Sequence, residues 1–304
     1  MTKIRIGTRG SKLALWQAEW VRARLLDAGQ EVELVIISTH GDVTQQPLSQ
    51  VGGQGLFTKE IQRELLAQRI DLAVHSLKDL PTDTVDGLIL AAVPCRETTD
   101  DVLISRERHT FESLPSSARV GTGSQRRAAQ LLNWRSDIQI VDIRGNIDSR
   151  LRKAMDGDYD AIVLAAAGLT RLGLLQHVTE TLPRDRMLPA VGQGALGLEC
   201  RSDDESTRRA LEQLNDRNTF AAVTAERVLL AQLLAGCMAP VAALGTVAEK
   251  ELFLHARVIS LDGQEIVEGV LRGPAVDAQS IGCELAGQLL ANGAAEIIEE
   301  SRKR

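Results

Sequence analysis

Residues 119–164 read RVGTGSQRRAAQLLNWRSDIQIVDIRGNIDSRLRKAMDGDYDAIVL. Short apolar runs at 119–121, 138–142 and 161–164 alternate with helical patterns at 124–133 and 147–155. Brief β-branched runs bounded by Gly, Ser and Asp read as strands, and the 3.6-residue spacing between them reads as helix. The order βαβαβ argues for a parallel sheet with helices on both faces. The first hundred residues carry the same alternation. Residues 4–7 form a strand. Ser11 can N-cap a helix running to about residue 28, closed by Gly29. Residues 32–37 are a second β-branched run, 58–68 a helix and 72–76 a buried strand. The predicted class is α/β.

The pattern changes near residue 218. A long helix, about 221–234, leads to Gly236 and Cys237. Apolar strands follow at 243–248, 252–260 and 266–271, with Asp262-Gly263 as a hairpin signal. A helix near 276–290 comes next. Strands followed by helix predict a small α+β domain with an antiparallel sheet. The expected division is a first lobe of residues 1–95 with a return segment at 195–215, a second lobe of 98–192, and a third domain of 218–304.

The chain has 304 residues, 44% apolar and 25% charged, which excludes disordered and fibrous classes. Aromatic residues are only 3%, so an aromatic nucleic-acid or sugar platform is not expected. Acidic residues outnumber basic ones 41 to 35, a net charge of −6, the wrong sign for non-specific binding to nucleic acid or anionic membrane. No apolar run reaches the ~18 residues needed to span a bilayer, and the N-terminus has no secretory apolar region. Cys95, Cys200, Cys237 and Cys283 are far apart and form no CxxC pair, so neither a disulfide framework nor a metal site is expected, and the compartment reads as the cytoplasm.

Three features have two readings each. Residues 119–152 hold seven arginines and three aspartates, a local +4. Such a run is usually a solvated helix face, yet Arg126, Arg127, Arg144 and Arg150 adjoin turn residues at strand ends, where ligands gather. The segment DLAVHSLKDLP (71–81) delivers Ser76, Lys78 and Asp79 to a strand end. Asp79 there is a turn cap or a catalytic carboxylate, and His75 reads as a satisfied core residue. Cys237 is a small buried hydrophobe or a nucleophile on a loop. Gly192, Gly194 and Gly197 spell GxGxxG, but no strand precedes them and no helix starts within them. They read as turns at a crossover rather than a dinucleotide site.

The segments GTRGSKLALWQA (7–18), VGGQGLFTKE (51–60), DLAVHSLKDLP (71–81), VGTGSQRRAAQL (120–131), DIRGN (142–146), AAAGLTRLG (165–173), LPAVGQGALGLECR (188–201) and AGCMAP (235–240) occur in this order. Together they closely resemble the porphobilinogen deaminase family of tetrapyrrole biosynthesis. The resemblance implies a transferase that condenses four porphobilinogens head to tail, with loss of ammonia, and releases linear hydroxymethylbilane by hydrolysis. It implies two periplasmic-binding-protein-like lobes of mostly parallel sheet with the active cleft between them. The third domain would hold a dipyrromethane cofactor through a thioether at Cys237. The product would pass to the next enzyme of the pathway, and the protein would act as a monomer.

By resemblance, Asp79 is the catalytic carboxylate. A carboxylate at the pyrrole N–H would stabilise the cationic azafulvene left by ammonia loss and relay protons. Arg9, Ser11, Ser76, Lys78, Ser124, Arg126, Arg127, Arg144, Arg150, Arg171 and Gln193 match positions that bind the substrate or cofactor. The chemistry agrees. A dipyrrole plus four added rings carries twelve carboxylates, and an acidic protein needs a local cationic site to hold them. Gln50 and Gln54 depart from the family, which usually has Lys at the latter position and in some bacterial members at the former. Both lie on a Gly-rich stretch expected to form a lid. The usual Leu-Glu-Gly-Gly-Cys is here Leu233-Leu234-Ala235-Gly236-Cys237.

Two other classes compete with the enzyme. One is a carboxylate-binding protein of the same two-lobed architecture without turnover, disfavoured by Asp79 and Cys237. The other is a nucleic-acid-binding or structural protein using the 119–152 arginines, disfavoured by the acidic charge and the few aromatics.

Overall fold

In a computed structural model, residues 3–38, 58–235 and 239–303 are described. Contacts divide the chain into two units, Met1–Arg96 with Ala195–Phe220, and Glu97–Gly194 with Ala221–Arg304.

The first unit contains β1 (Ile4–Thr8), β2 (Val32–Ile36), β3 (Leu72–Ser76) and β4 (Leu88–Ala92). The second begins with β5 (Asp101–Ile104), β6 (Arg119–Gly121), β7 (Gln139–Val141), β8 (Ala161–Ala165) and β9 (Glu180–Thr181). Then β10 (Leu196–Arg201) returns to the first unit, and β11 (Val241–Ala248), β12 (Glu251–Ile259) and β13 (Ile266–Pro274) belong to the second.

The first sheet has the order β2-β1-β3-β10-β4. Its β1 pairs in parallel with β2 and β3, while β10 runs antiparallel to both β3 and β4. The second has the order β7-β6-β8-β5-β9, with β6 parallel to β7 and β8 and β5 antiparallel to β8 and β9. Each sheet therefore has four strands in one direction and one opposed strand inserted between the last two. The third sheet, β11-β12-β13, is wholly antiparallel. The α/β class and the late antiparallel sheet are thus as expected. The alternation in the sequence could not show that β5 and β10 run against their neighbours.

Local chemistry accounts for the helices around the sheets. Ser11 caps helix Lys12–Asp27, its Oγ accepting the Ala14 N–H at 3.3 Å. That helix buries Ala18, Val21 and Leu25 at spacings of three and four, against Ile4, Ile6, Leu72 and Val74 of the sheet. Each such side chain contributes roughly 1.5–3 kcal/mol on burial. Asn146 caps helix Ile147–Met155 by accepting the Ser149 N–H at 2.9 Å. The late long helix is Arg217–Gln232, starting four residues before its expected position. Helices Glu205–Glu212 and Ala294–Lys303, with strands β4, β5 and β9, are further elements of the fold.

The crossover turn uses its glycines as anticipated. Gly192 and Gly194 have φ of 69° and 84°. At Gly194 a Cβ would stand 2.5 Å from the Glu97 carbonyl oxygen and 2.6 Å from that of Thr98. Only glycine gives both the left-handed backbone and that approach.

Candidate functional site

In the first unit the carboxyl ends of β1 and β3 lie on one edge, since the two strands are parallel neighbours. Arg9 and Ser11 follow β1, and the 3-10 turn Leu77–Asp79 follows β3. Arg9, Ser11, Gln17, His75, Ser76 and Asp79 line a common recess, open to solvent. Asp79 is exposed there, with Lys78 half-buried beside it in sequence. The N-terminus of helix Lys12–Asp27 adds partial positive charge to the same edge.

Gln17 was not singled out in the sequence. It is buried, and its Nε2 donates to the Ser76 Oγ at 2.8 Å. A signal existed, because Gln17 lies four residues before Val21 in the buried stripe of its helix. A polar side chain on a buried face needs a partner. Having accepted that bond, the Ser76 hydroxyl directs its own proton elsewhere.

His75 is a satisfied core residue, as its sequence context implied. Its Nε2 lies 2.9 Å from the Glu199 Oε2, and Gln62 Nε2 donates to the Glu199 Oε1 at 2.9 Å. All three are buried, so His75 is a satisfied core residue whose edge reaches the recess.

In the second unit the carboxyl ends of β6, β7 and β8 again share an edge. Because β5 is antiparallel to β8, with Asp101 opposite Ala165, its first residue lies at that edge too. Ser124 caps helix Gln125–Trp134 by accepting the Arg127 N–H at 3.5 Å. Arg126 and Arg127 occupy the first turn and both point inward.

The structure adds a protein partner for these two arginines that the sequence did not show. Arg126 and Arg127 are 3% and 6% exposed, and both bind Asp101, which is fully buried. Arg126 Nη2 donates to Asp101 Oδ2 at 2.8 Å, and Arg127 Nε and Nη2 donate to Oδ1 at 3.0 and 2.7 Å. The partner stands 25 residues upstream, in a strand with no helical or turn signal. Burial by itself would raise the Asp101 pKa, but the two guanidinium charges outweigh it and hold the carboxyl far below the usual carboxylate range. Two cations against one anion leave the cluster at +1.

Gln193 and Arg171 join this cluster through the crossover turn. Gln193 Nε2 donates to the Thr99 carbonyl at 2.7 Å and to Asp101 Oδ1 at 3.0 Å. Arg171, at the end of helix Ala166–Leu172, donates Nη2 to the Gly194 carbonyl at 2.7 Å. Its burial lowers its pKa, opposed by Glu97. Arg144 lies on the next turn, after β7, and Arg150 in the helix Ile147–Met155 that follows it. Arg144 Nε donates to Asp142 Oδ2 at 2.9 Å, and Arg150 Nε to the Gly145 carbonyl at 2.8 Å. Arg9 belongs to the first unit, and Arg126, Arg127, Arg144, Arg150 and Arg171 to the second. Gln50, Gln54 and Cys237 lie outside the described residues.

Both edges suit a polyanionic aromatic group. The first offers a cation, hydroxyls and a carboxylate around an open recess. The second holds surplus positive charge with two donors or acceptors left without bonds, the Arg126 Nε and the Thr99 Oγ1, both buried. Orphaned buried polar atoms ask for a partner. These residues fit a dipyrrole bearing acetate and propionate groups.

Comparison with known proteins agrees. Residues 4–209 match the family model described as porphobilinogen deaminase, dipyromethane cofactor binding domain, and residues 220–291 match the porphobilinogen deaminase C-terminal domain. The chain is 49% identical over 298 residues to the porphobilinogen deaminase of Syntrophotalea carbinolica, covering 97% of this chain and 95% of that one. It is 48% identical to that of Geobacter sulfurreducens, over 100% of this chain and 96% of the relative. With Chlorobaculum tepidum the identity is 47%, over 98% and 97%. Two family models that together span nearly all of the sequence, and full-length relatives at close to half identity, lead to one conclusion: the chain belongs to the porphobilinogen deaminase family.

Proposed function

We propose that the protein condenses four porphobilinogen molecules head to tail, with loss of ammonia, and releases linear hydroxymethylbilane by hydrolysis. The observation that carries this reading is the first-unit recess, where a carboxylate, a guanidinium and two serines converge on one strand edge. The dipyrromethane, when bound through Cys237, supplies the pyrrole onto which rings are added.

Asp79 is the proposed catalytic residue. Exposed at the recess, its carboxylate can accept a pyrrole N–H, stabilise positive charge as ammonia leaves and take up a proton. Arg9, Ser11, Ser76 and Lys78 bind carboxylates of the substrate or cofactor. Gln17 orients the Ser76 hydroxyl for that task. In the second unit, Arg126 and Arg127 offer the surplus charge left by Asp101. Ser124 fixes their helix turn, and Gln193, Arg144, Arg150 and Arg171 complete the set. Each charge-assisted bond contributes about 1.5–3 kcal/mol. Gln50 and Gln54 stand where amides replace attracting lysines.

The experiment is intact mass of the purified chain before and after porphobilinogen. The expected result is a dipyrrole adduct at rest, a ladder of up to four added rings, and no adduct in Cys237→Ser. An adduct on Cys95, Cys200 or Cys283, or release of no ammonia, would refute the reading.

Within the second unit, residues 98–192 and 218–304 are proposed to be separate domains, testable by limited proteolysis. Among the described residues no helix is long and apolar enough to cross a membrane. We also propose a monomer acting in the cytoplasm and passing its product to the next enzyme of the pathway. The free thiols of Cys95, Cys200 and Cys283 support a reducing compartment. Sedimentation of the purified chain tests the monomer.

A further inference from the structure

Helix Arg217–Gln232 buries a stripe containing Ala222, Ala225 and Leu229. Glu226 lies within that stripe and is fully buried. Its Oε1 accepts the Gly245 N–H of β11 at 2.8 Å, and its Oε2 accepts the Gly192 N–H at 2.7 Å. There is little slack in this arrangement. A Cβ at Gly245 would stand 2.7 Å from the Ala222 carbonyl oxygen. Burying a carboxylate is costly, and an apolar residue would fill the stripe more simply.

The residue after Gly192 is Gln193, whose amide holds Asp101, and Asp101 holds both Arg126 and Arg127. A second route reaches Arg126. Arg257 of β12 is buried and donates Nη1 to the Gln130 Oε1 at 3.0 Å. That oxygen also accepts the Leu188 N–H at 3.0 Å, and the Gln130 amide donates to the Leu188 carbonyl at 3.1 Å. The Leu188 carbonyl takes Arg126 Nη1 at 2.6 Å. Both routes start in residues 221–304; the first ends on both guanidinium groups through Asp101, and the second ends on Arg126.

We infer that Glu226 and Arg257 are positioning residues that set the Arg126–Arg127 pair through the turn 188–194. The C-terminal segment thereby tunes carboxylate binding as well as carrying the attachment cysteine. The inference rests on the reading that the pair binds carboxylates of the substrate or cofactor.

Glu226→Gln keeps the size but turns an amide N–H toward one of two backbone N–H groups, so one tie is lost. Arg257→Met removes the other tie while Gln130 keeps its bonds to Leu188. The full-length variants are assayed with porphobilinogen well below their melting midpoints. The expected result is a KM raised about tenfold with kcat changed far less. A residue that only held the fold would lower the melting midpoint and leave KM at the wild-type value, and that result overturns the inference. If Glu226→Gln does not fold, Arg257→Met carries the same expectation. A second readout needs no turnover. The Arg127 Nε–H resonance, protected by Asp101 in the wild type, should broaden by faster exchange in Glu226→Gln. An unchanged resonance overturns the positioning role even in protein that processes no porphobilinogen, whereas a wild type without turnover refutes the functional reading alone.

Discussion

Replacing Asp101 with Asn tests the central electrostatic claim. Asp101 is fully buried and accepts four hydrogen bonds, three from Arg126 and Arg127 and one from Gln193. Asn keeps the shape and can still accept one or two of them. It cannot offset the two guanidinium charges, which are themselves almost wholly buried. Removing one partner from a buried charge cluster costs about 3–5 kcal/mol. For a unit of this size each kcal/mol moves the melting temperature by roughly 2–4 °C. The expected fall is therefore about 6–20 °C at pH 7. The pH dependence has a definite sign. The folded-state pKa of Asp101 is depressed below the ordinary value of about 3.9. Its stabilisation is thus complete above that value and is lost as pH falls toward the folded-state pKa. The gap between wild type and variant should be flat from neutral pH down to about pH 5 and narrow below it. Thermal unfolding followed by circular dichroism across pH 3–8 measures it. A fall of less than about 2 °C at pH 7, or a gap that widens in acid, would refute the reasoning.

Three further outcomes are expected. Asp79→Asn should keep the fold and lose about 10²–10³ in turnover, while Asp79→Glu retains more activity; a silent Asn with a damaging Glu would instead mark Asp79 as a turn cap. Gly194→Ala places a methyl 2.5 Å from the Glu97 carbonyl at a φ of 84°, so it should destabilise by about 1–3 kcal/mol or more in urea unfolding, and a neutral result would contradict the crossover packing. Lys at both Gln50 and Gln54 should lower the apparent KM by no more than about 1 kcal/mol per charge, an effect that shrinks as salt rises. Unchanged binding and salt dependence would show that these positions do not meet the polyanion.

The alternating strands and helices of both lobes are legible in the sequence because they are local. Ser11, Ser124 and Asn146 announce helix starts within three residues of the amides they cap. Gly192 and Gly194 likewise declare a turn by composition alone. Motif order carried the family and therefore the candidate site list. Strand direction did not appear in any run of residues. The insertion of β10 between β3 and β4, and of β5 between β8 and β9, depends on pairing between segments far apart in the sequence. The same distance hides ion pairing. Nothing near Arg126 and Arg127 shows that Asp101 will occupy both, or that Gln193 will join from 92 positions away. Gln17 and Glu226 look like ordinary polar residues on helices until their faces are buried. Burial makes an unmet polar atom costly, so each must find a partner. Which partner it finds depends on elements distant in sequence, and only the tertiary structure brings those together.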